Sequence, residues 1–112
     1  NIITMPDRQE HQVYEQEAAH EMTDILEGVL IRGTARGKTI PDMPCAGKTG
    51  TTNDYMDGWF AGYSAYYTTG VWIGFDTPRS IRSLSASSHP VEIWQAFMTK
   101  LHDGLPSKPL NK

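Results

Sequence analysis

The residues best suited to chemistry lie in one short segment, residues 46–52, which reads AGKTGTT. In an extended strand, Thr49 and Thr51 project to the same side, so their hydroxyl groups can converge on one carboxylate. Gly50 lacks a Cβ and leaves room for a peptide-like ligand beside the strand. The Lys48 ammonium adds positive charge, and the Thr51 amide can donate to a developing oxyanion. Hydrogen bonds to a charged group contribute about 1.5–3 kcal/mol each, so this set can orient a substrate.

Two other interpretations start from the same segment. A phosphate-binding loop needs a glycine five residues before Gly47, and that position is Asp42. Such a loop must also open a helix, whereas residues 50–53 make a poor helix start. A threonine-rich edge strand with a solvated Lys48 explains the residues as well as a binding site does, and these residues alone leave that choice open.

Other catalytic and metal-binding patterns fail on spacing. Residues 62–66 (GYSAY) miss the nucleophile elbow because Tyr66 replaces the second glycine, and Ser64 is predicted to be a turn residue. His20 begins a zinc-protease pattern, but the second histidine position is Asp24. Surface or capping roles are predicted for all four histidines, which are His11, His20, His89 and His102. We therefore expect no metal and no cofactor.

Several further side chains receive structural interpretations. Cys45 has no basic partner near it in sequence, so we expect a small buried side chain. Asp54 and Asp57 are interpreted as turn formers that could also position the loop after the strand. Packing roles are predicted for the three tryptophans, Trp59, Trp72 and Trp94.

Composition narrows the class of protein. The 112 residues are 38% hydrophobic, which suits one small globular domain or part of one. The formal net charge of -3 and the absence of a long basic run argue against nucleic acid or a polybasic membrane patch. No apolar run approaches the roughly 20 residues that span a bilayer, and the N-terminus has no signal-peptide pattern. We expect an excised or processed segment, with any membrane anchor elsewhere in its parent.

Hydrophobic spacing predicts the secondary structure of a single segment of one domain, residues 1–112. An amphipathic helix over about 15–32, capped by Gly33, follows from apolar residues at steps of three and four. A strand over about 46–52 precedes a hairpin over about 58–75 whose strands are apolar on both faces, so we expect a sheet covered on both sides. A serine-rich loop at 80–88, a helix over about 89–102 and a frayed tail at 104–112 complete the chain.

These motifs and their surroundings resemble one family. Lys-Thr-Gly, here residues 48–50, is the third motif of penicillin-binding proteins and serine β-lactamases. The run at residues 46–55, together with Trp59-Phe60 and residues 69–74, is similar to the class A, bifunctional penicillin-binding proteins. The resemblance covers most of the chain beyond about Gln12.

The resemblance implies a fold and a set of roles. The fold is α+β, an α/β sandwich: part of a transpeptidase domain, with an antiparallel sheet of about three strands flanked by N- and C-terminal helices. Lys48 would assist proton transfer or hold the substrate electrostatically, and the Thr51 amide would form half of an oxyanion hole. Thr49, Gly50 and Thr51 would bind the carboxyl end of a stem peptide or of a β-lactam.

One departure from the family is large. Neither a Ser-x-x-Lys nor a Ser-x-Asn motif occurs in the chain, and in the family both precede the Lys-Thr-Gly strand. We therefore expect an inactive C-terminal portion of a peptidoglycan D,D-transpeptidase whose partner is the N-terminal part of its own domain. Its parent would be anchored at the outer face of the bacterial cell membrane. The alternative is a non-catalytic fragment that binds a peptide or partner protein, and a β-lactamase fragment is disfavoured by residues 53–55 and Trp59-Phe60.

Overall fold

The computed structural model describes residues 3–52, 56–77, 79–80 and 89–110. Five elements follow one another: α1 (Gln16–Ile31), β1 (Ala46–Thr51), β2 (Gly58–Tyr63), β3 (Thr68–Ile73) and α2 (His89–Leu101). The strands form one antiparallel sheet in the order β1-β2-β3. The predicted α+β class, with an antiparallel sheet between an N-terminal and a C-terminal helix, is confirmed. Residues 53–55 of the turn predicted over 53–57 and residues 81–88 of the predicted serine-rich loop lie outside the described residues.

The register of the strands divides the sheet into two faces. Thr49 pairs with Phe60, and Phe60 pairs with Val71, so these three residues share one face. We call this the covered face, and it carries Gly47, Thr49, Thr51, Gly58, Phe60, Gly62, Thr69, Val71 and Ile73. The opposite side, here called the open face, carries Ala46, Lys48, Gly50, Trp59, Ala61, Tyr63, Thr68, Gly70 and Trp72.

Helix α2 packs on the covered face through two aromatic rings. Trp94 and Phe60 are fully buried, and their ring centroids lie 4.9 Å apart in an edge-to-face arrangement. Two glycines make room for them: a Cβ at position 62 would lie 2.7 Å from atoms of both rings, and one at position 47 would lie 2.6 Å from Phe60. Trp94 Nε1 also donates to the Gly62 carbonyl at 3.4 Å. Gly47 of β1 and Gly62 of β2 are therefore part of the core.

The expectation of a sheet covered on both sides is wrong for the described residues. Trp59 is 49% exposed and Trp72 is 43% exposed on the open face, so only Trp94 has the buried role predicted for all three tryptophans. Helix α1 reaches just one end of this face, where Thr23 Oγ1 and Tyr63 Oη share a hydrogen bond of 3.1 Å. An apolar pattern shows that a face is suited to burial but does not identify the element that buries it.

Helix α1 follows its predicted span, but its end differs from the prediction. The residue in the left-handed region is Gly37, at φ +83°, and its amide donates to the Leu30 carbonyl at 3.0 Å. Gly33 is required for a different reason, because a Cβ there would lie 2.9 Å from the Val29 backbone. No described residue in the last turn of α1 is basic, since Arg32 already follows the helix.

The apolar stripe of α1 is only partly used. Leu30 is fully buried in the core, while Met22 and Ile25 on the same helix are exposed. None of the described helices is both long enough and apolar enough to cross a bilayer.

The C-terminal tail is ordered against the hairpin, which corrects the expectation of a frayed end. Tyr66 Oη donates to the Pro106 carbonyl at 2.8 Å, and Lys108 Nζ lies 5.5 Å from the centre of the same ring. Leu110 is buried. Glycine and proline in the tail signal an irregular backbone, but they do not exclude a fixed path when side chains hold it.

We predict that Gly62→Ala destabilises the chain by about 1–3 kcal/mol, because the new methyl group would overlap the Trp94 and Phe60 rings. Gly70→Ala is the matched control, since a Cβ at that strand position meets nothing within 4 Å. Urea unfolding followed by tryptophan fluorescence measures both variants. Equal unfolding midpoints for the two alanine variants would show that packing against Trp94 and Phe60 does not require glycine at position 62.

Candidate substrate-binding strand

Strand β1 forms one edge of the sheet. The alternation of hydrogen-bonded and non-bonded pairs with β2 decides which of its backbone groups face outward. The Thr52 amide donates to the Asp57 carbonyl at 3.1 Å, which continues the β1–β2 ladder by one pair. In an antiparallel ladder, hydrogen-bonded pairs alternate with non-bonded pairs. The backbone amides and carbonyls of Gly50 and Lys48 therefore form hydrogen bonds with β2. The amides and carbonyls of Thr49 and Thr51 point to the outer edge, where none of the other described strands pairs with them.

Three side chains gather at this edge. Lys48 Nζ donates to the Thr49 carbonyl at 3.2 Å and to Thr49 Oγ1 at 3.4 Å. Thr34 Oγ1, from the turn after α1, shares a hydrogen bond of 3.2 Å with Thr49 Oγ1. The Lys48 ammonium can reach the Thr49 carbonyl because that carbonyl points outward, as the pairing of β1 with β2 requires. One cation and two hydroxyl groups thus lie together at the outer edge of the sheet.

The remaining predicted site residues lie along the same edge. Thr51 shares the covered face with Thr49, as the alternation of a strand requires, and its side chain is exposed. Thr34 was not singled out from the sequence, because nothing in its spacing links it to a strand 15 residues away. A cation, several hydroxyl groups and outward amides form an arrangement that can bind a carboxylate and stabilise an oxyanion.

Gly50 is not required by packing within the described chain. A Cβ at this position would meet only Trp59 Cβ, at an ordinary contact distance of 3.7 Å. A Cβ at Gly47, three residues earlier and on the covered face, would instead be blocked by Phe60 and by the Ala61 carbonyl at 2.8 Å. The bare backbone at Gly50 leaves the strand accessible from the open face.

Cys45 lies just before β1 and is buried, as expected. Burial raises the pKa of its thiol, the nearby Glu27 carboxylate adds to this rise, and a hydrogen bond with the Ile40 backbone opposes it. Because the thiolate is the nucleophilic form, a buried thiol with a raised pKa is unreactive. Among the described residues, no three His, Cys, Asp or Glu side chains are arranged to hold a metal ion.

A buried serine and histidine meet at the turn between β2 and β3. Ser64 Oγ lies 2.5 Å from His102 Nε2, and His102 Nδ1 lies 2.7 Å from the Met98 carbonyl. Because a carbonyl only accepts, Nδ1 carries the proton and Nε2 accepts from the serine hydroxyl. Ser64 Oγ also accepts the amides of Tyr66 at 3.0 Å and Tyr67 at 3.3 Å.

This pair holds the turn together and is not a catalytic dyad. A serine hydroxyl has one proton and two lone pairs, and the three contacts of Ser64 Oγ use all of them. No lone pair remains free to attack a substrate. The prediction of Ser64 as a turn residue agrees with these contacts. Of the two roles predicted for the histidines, surface or capping, His102 has the capping one, because its buried ring bonds the Met98 carbonyl in the last turn of α2. Because 38 residues separate Ser64 from His102, no spacing pattern in the sequence predicted their contact.

Known proteins match most of this chain in sequence. A family model for the penicillin-binding protein transpeptidase domain matches residues 3–83. Penicillin-binding protein 1A of Aquifex aeolicus is 45% identical over 76 residues, which cover 67% of this chain and 10% of that protein. Penicillin-binding protein 1A of Pseudomonas aeruginosa is 41% identical over 88 residues, or 77% of this chain and 11% of that protein.

A differently named relative shows comparable similarity. Penicillin-binding protein 4 of Bacillus subtilis is 36% identical over 87 residues, which cover 78% of this chain and 14% of that protein. The matched part of this chain thus spans between 10% and 14% of the length of these relatives.

We predict that Ser64→Ala lowers the free energy of unfolding by about 1–3 kcal/mol, because two part-buried amides and the buried His102 Nε2 lose their partner. Ser107→Ala is the control, since Ser107 lies exposed in the tail. Urea titration of both variants and of the unsubstituted chain gives the comparison. A Ser64→Ala midpoint equal to that of the control would contradict a structural role for the pair.

Proposed function

This chain belongs to the transpeptidase family of penicillin-binding proteins, and we propose that it supplies the substrate-binding strand of a peptidoglycan D,D-transpeptidase. The observation that carries the proposal is the outer edge of β1. The Thr51 amide faces outward from a strand that also presents the Lys48 ammonium and the Thr49 hydroxyl. In this proposal the complete enzyme, here called the parent, contains this chain as the C-terminal portion of its transpeptidase domain.

The proposed reaction is acyl transfer through a serine ester. A serine of the parent attacks the carbonyl carbon between the two D-alanines of a stem peptide, and the terminal D-alanine leaves. The Thr51 amide donates to the oxyanion that forms on that carbonyl oxygen. The Thr49 and Thr51 hydroxyls bind the terminal carboxylate, and Lys48 assists proton transfer or stabilises the negative charge. A β-lactam, which also carries a carboxylate and an acylating carbonyl, would occupy the same groups.

The nucleophile is proposed to come from another part of the parent. The 112 residues contain no Ser-x-x-Lys and no Ser-x-Asn motif. Ser64, which has the buried His102 as a partner, has its hydroxyl fully engaged. We therefore propose that the chain alone does not acylate and that it acts on the outer side of the cell membrane as part of an anchored parent.

The partner proposed for the chain is the preceding part of its own transpeptidase domain. The Ser64 amide donates to the Tyr67 carbonyl at 2.9 Å. This pair shows which residue pairs between β2 and β3 are hydrogen-bonded and which are not. By the alternation described for β1, the backbone groups of Thr68, Gly70 and Trp72 point away from β2. An edge of this kind, beside an exposed aromatic face, supports the addition of further strands and helices.

The outer edge of β1 also supports a second candidate function. Its free amides and carbonyls could pair with an extended peptide by strand addition, and this binding would need no nucleophile. A non-catalytic peptide- or partner-binding role is therefore the alternative. Reconstitution separates the two candidates, because only the transpeptidase regains penicillin acylation when the preceding part of the domain is present.

We predict that Thr51→Pro in the parent lowers the maximal rate of acylation by penicillin about 10²-fold, because proline removes the proposed oxyanion donor. The Thr51 amide faces the outer edge, so proline there leaves the β1–β2 ladder intact. Thr51→Ala is the matched control, since it removes the hydroxyl and keeps the amide. The rates are measured by stopped-flow mixing with a fluorescent penicillin.

Equal acylation rates for the proline and alanine variants would contradict the oxyanion role of Thr51. Urea unfolding of each variant is measured in parallel, because a folding defect would appear there. A parent that does not react with penicillin at all would contradict the proposed function itself.

A further inference from the structure

The end of β1 is closed by Asp57, the residue just before β2. The Thr52 amide donates to the Asp57 carbonyl at 3.1 Å, and the Asp57 amide donates to Thr52 Oγ1 at 2.9 Å. The Thr52 hydroxyl in turn lies 3.4 Å from the Asp57 carbonyl. These contacts join the two sides of the β1–β2 connection at its base.

Asp57 is itself tied to the far strand of the sheet. Trp72 Nε1, from β3, donates to Asp57 Oδ1 at 3.0 Å. Gly74 makes this contact possible, because a Cβ at position 74 would overlap both the Asp57 carboxylate and the Trp72 ring. The Trp72 ring also lies beside Trp59, with 6.3 Å between centroids. One carboxylate thus links the end of β1 to β3 across the whole sheet.

The position of Thr51 explains why this link bears on the active site. Thr51 lies between two bonded pairs of the ladder, Gly50 with Trp59 on one side and Thr52 with Asp57 on the other. The peptide plane that carries the Thr51 amide is held by the first pair, and the next plane, between Thr51 and Thr52, is held by the second pair. Without it, Thr51 would be the last residue of an edge strand with support on one side only, and strand ends of this kind fray.

We propose that Asp57, held by the Trp72 indole and given room by Gly74, is a positioning residue for the Thr51 amide. Asp57 does not touch the substrate; it acts by fixing the strand end from which Thr51 donates. The inference rests on the proposed function, since it assigns Asp57 a part in that reaction. It also gives a role to the exposed Trp72 side chain, which the core does not need.

The test uses the parent enzyme and three substitutions. Asp57→Ala removes the carboxylate, Trp72→Phe removes the indole donor, and Asp57→Asn keeps an oxygen that can accept from Trp72. Stopped-flow acylation with a fluorescent penicillin gives the maximal rate and the half-saturating concentration. We expect Asp57→Ala and Trp72→Phe each to lower the maximal rate about tenfold or more with little change in half-saturation, because small misplacements of a catalytic group are costly.

The conservative and double variants sharpen the test. Asp57→Asn should retain a rate within about twofold of the unmodified enzyme, because its amide oxygen replaces the carboxylate oxygen as the acceptor. The double variant, with both Asp57→Ala and Trp72→Phe, should be no slower than the slower single variant, because both changes break the same contact.

A matched control separates positioning from general stability. Tyr66→Phe also removes one hydrogen bond made by an aromatic side chain, but at the opposite end of the hairpin, where Tyr66 Oη donates to Pro106. We expect this variant to lose thermal stability and to keep its acylation rate. If Asp57→Ala and Trp72→Phe behave in the same way, with lower Tm and unchanged rates, Asp57 has only a structural role and the inference is wrong.

Different results would contradict the proposed function and the positioning role of Asp57. An unmodified parent that does not react with penicillin contradicts the proposed function. A reactive parent whose Asp57→Ala and Trp72→Phe variants react at the same rate contradicts the positioning role alone.

Discussion

The antiparallel pairing of β1 with β2 determines which groups of the chain can meet a ligand. Its phase is set at the strand end, where the Thr52 amide donates to the Asp57 carbonyl. A shift of one residue would turn the amides of Thr49 and Thr51 inward and would exchange the two faces of the sheet. The buried contact of Trp94 with Phe60 opposes such a shift, because both rings fit only where Gly47 and Gly62 lack side chains. Core packing and the outward direction of the edge amides therefore depend on the same register.

In the proposed function, the edge that results forms half of a catalytic site. Lys48 and Thr49 present their polar groups at the outer edge of β1, and Gly50 leaves the strand uncovered. The open face behind that edge exposes Trp59 and Trp72. A binding edge with an exposed apolar face fits a segment whose domain continues in the rest of the polypeptide, and membership of the transpeptidase family agrees with this interpretation.

Local patterns in the sequence predicted the helices and strands well. The helices, the three strands and the parity that places Thr49 and Thr51 on one side all follow from periods of 3.6 and 2 residues. Contacts between distant residues were beyond such patterns. The Ser64–His102 bond, the order of the tail around Tyr66 and the contact of Thr34 with Thr49 all join segments without a shared period. The exposure of Trp59 and Trp72 was missed for a related reason, since composition does not show what covers a face.

The central claim is that this chain provides a substrate-binding strand and that the nucleophile lies elsewhere in the parent. The most direct test is the intact mass of the purified, folded chain after incubation with excess benzylpenicillin, with the parent treated in parallel. The account predicts an unchanged mass for the chain and one penicillin adduct on the parent, at a serine outside these 112 residues. A stable adduct on a serine of the chain itself would contradict the account.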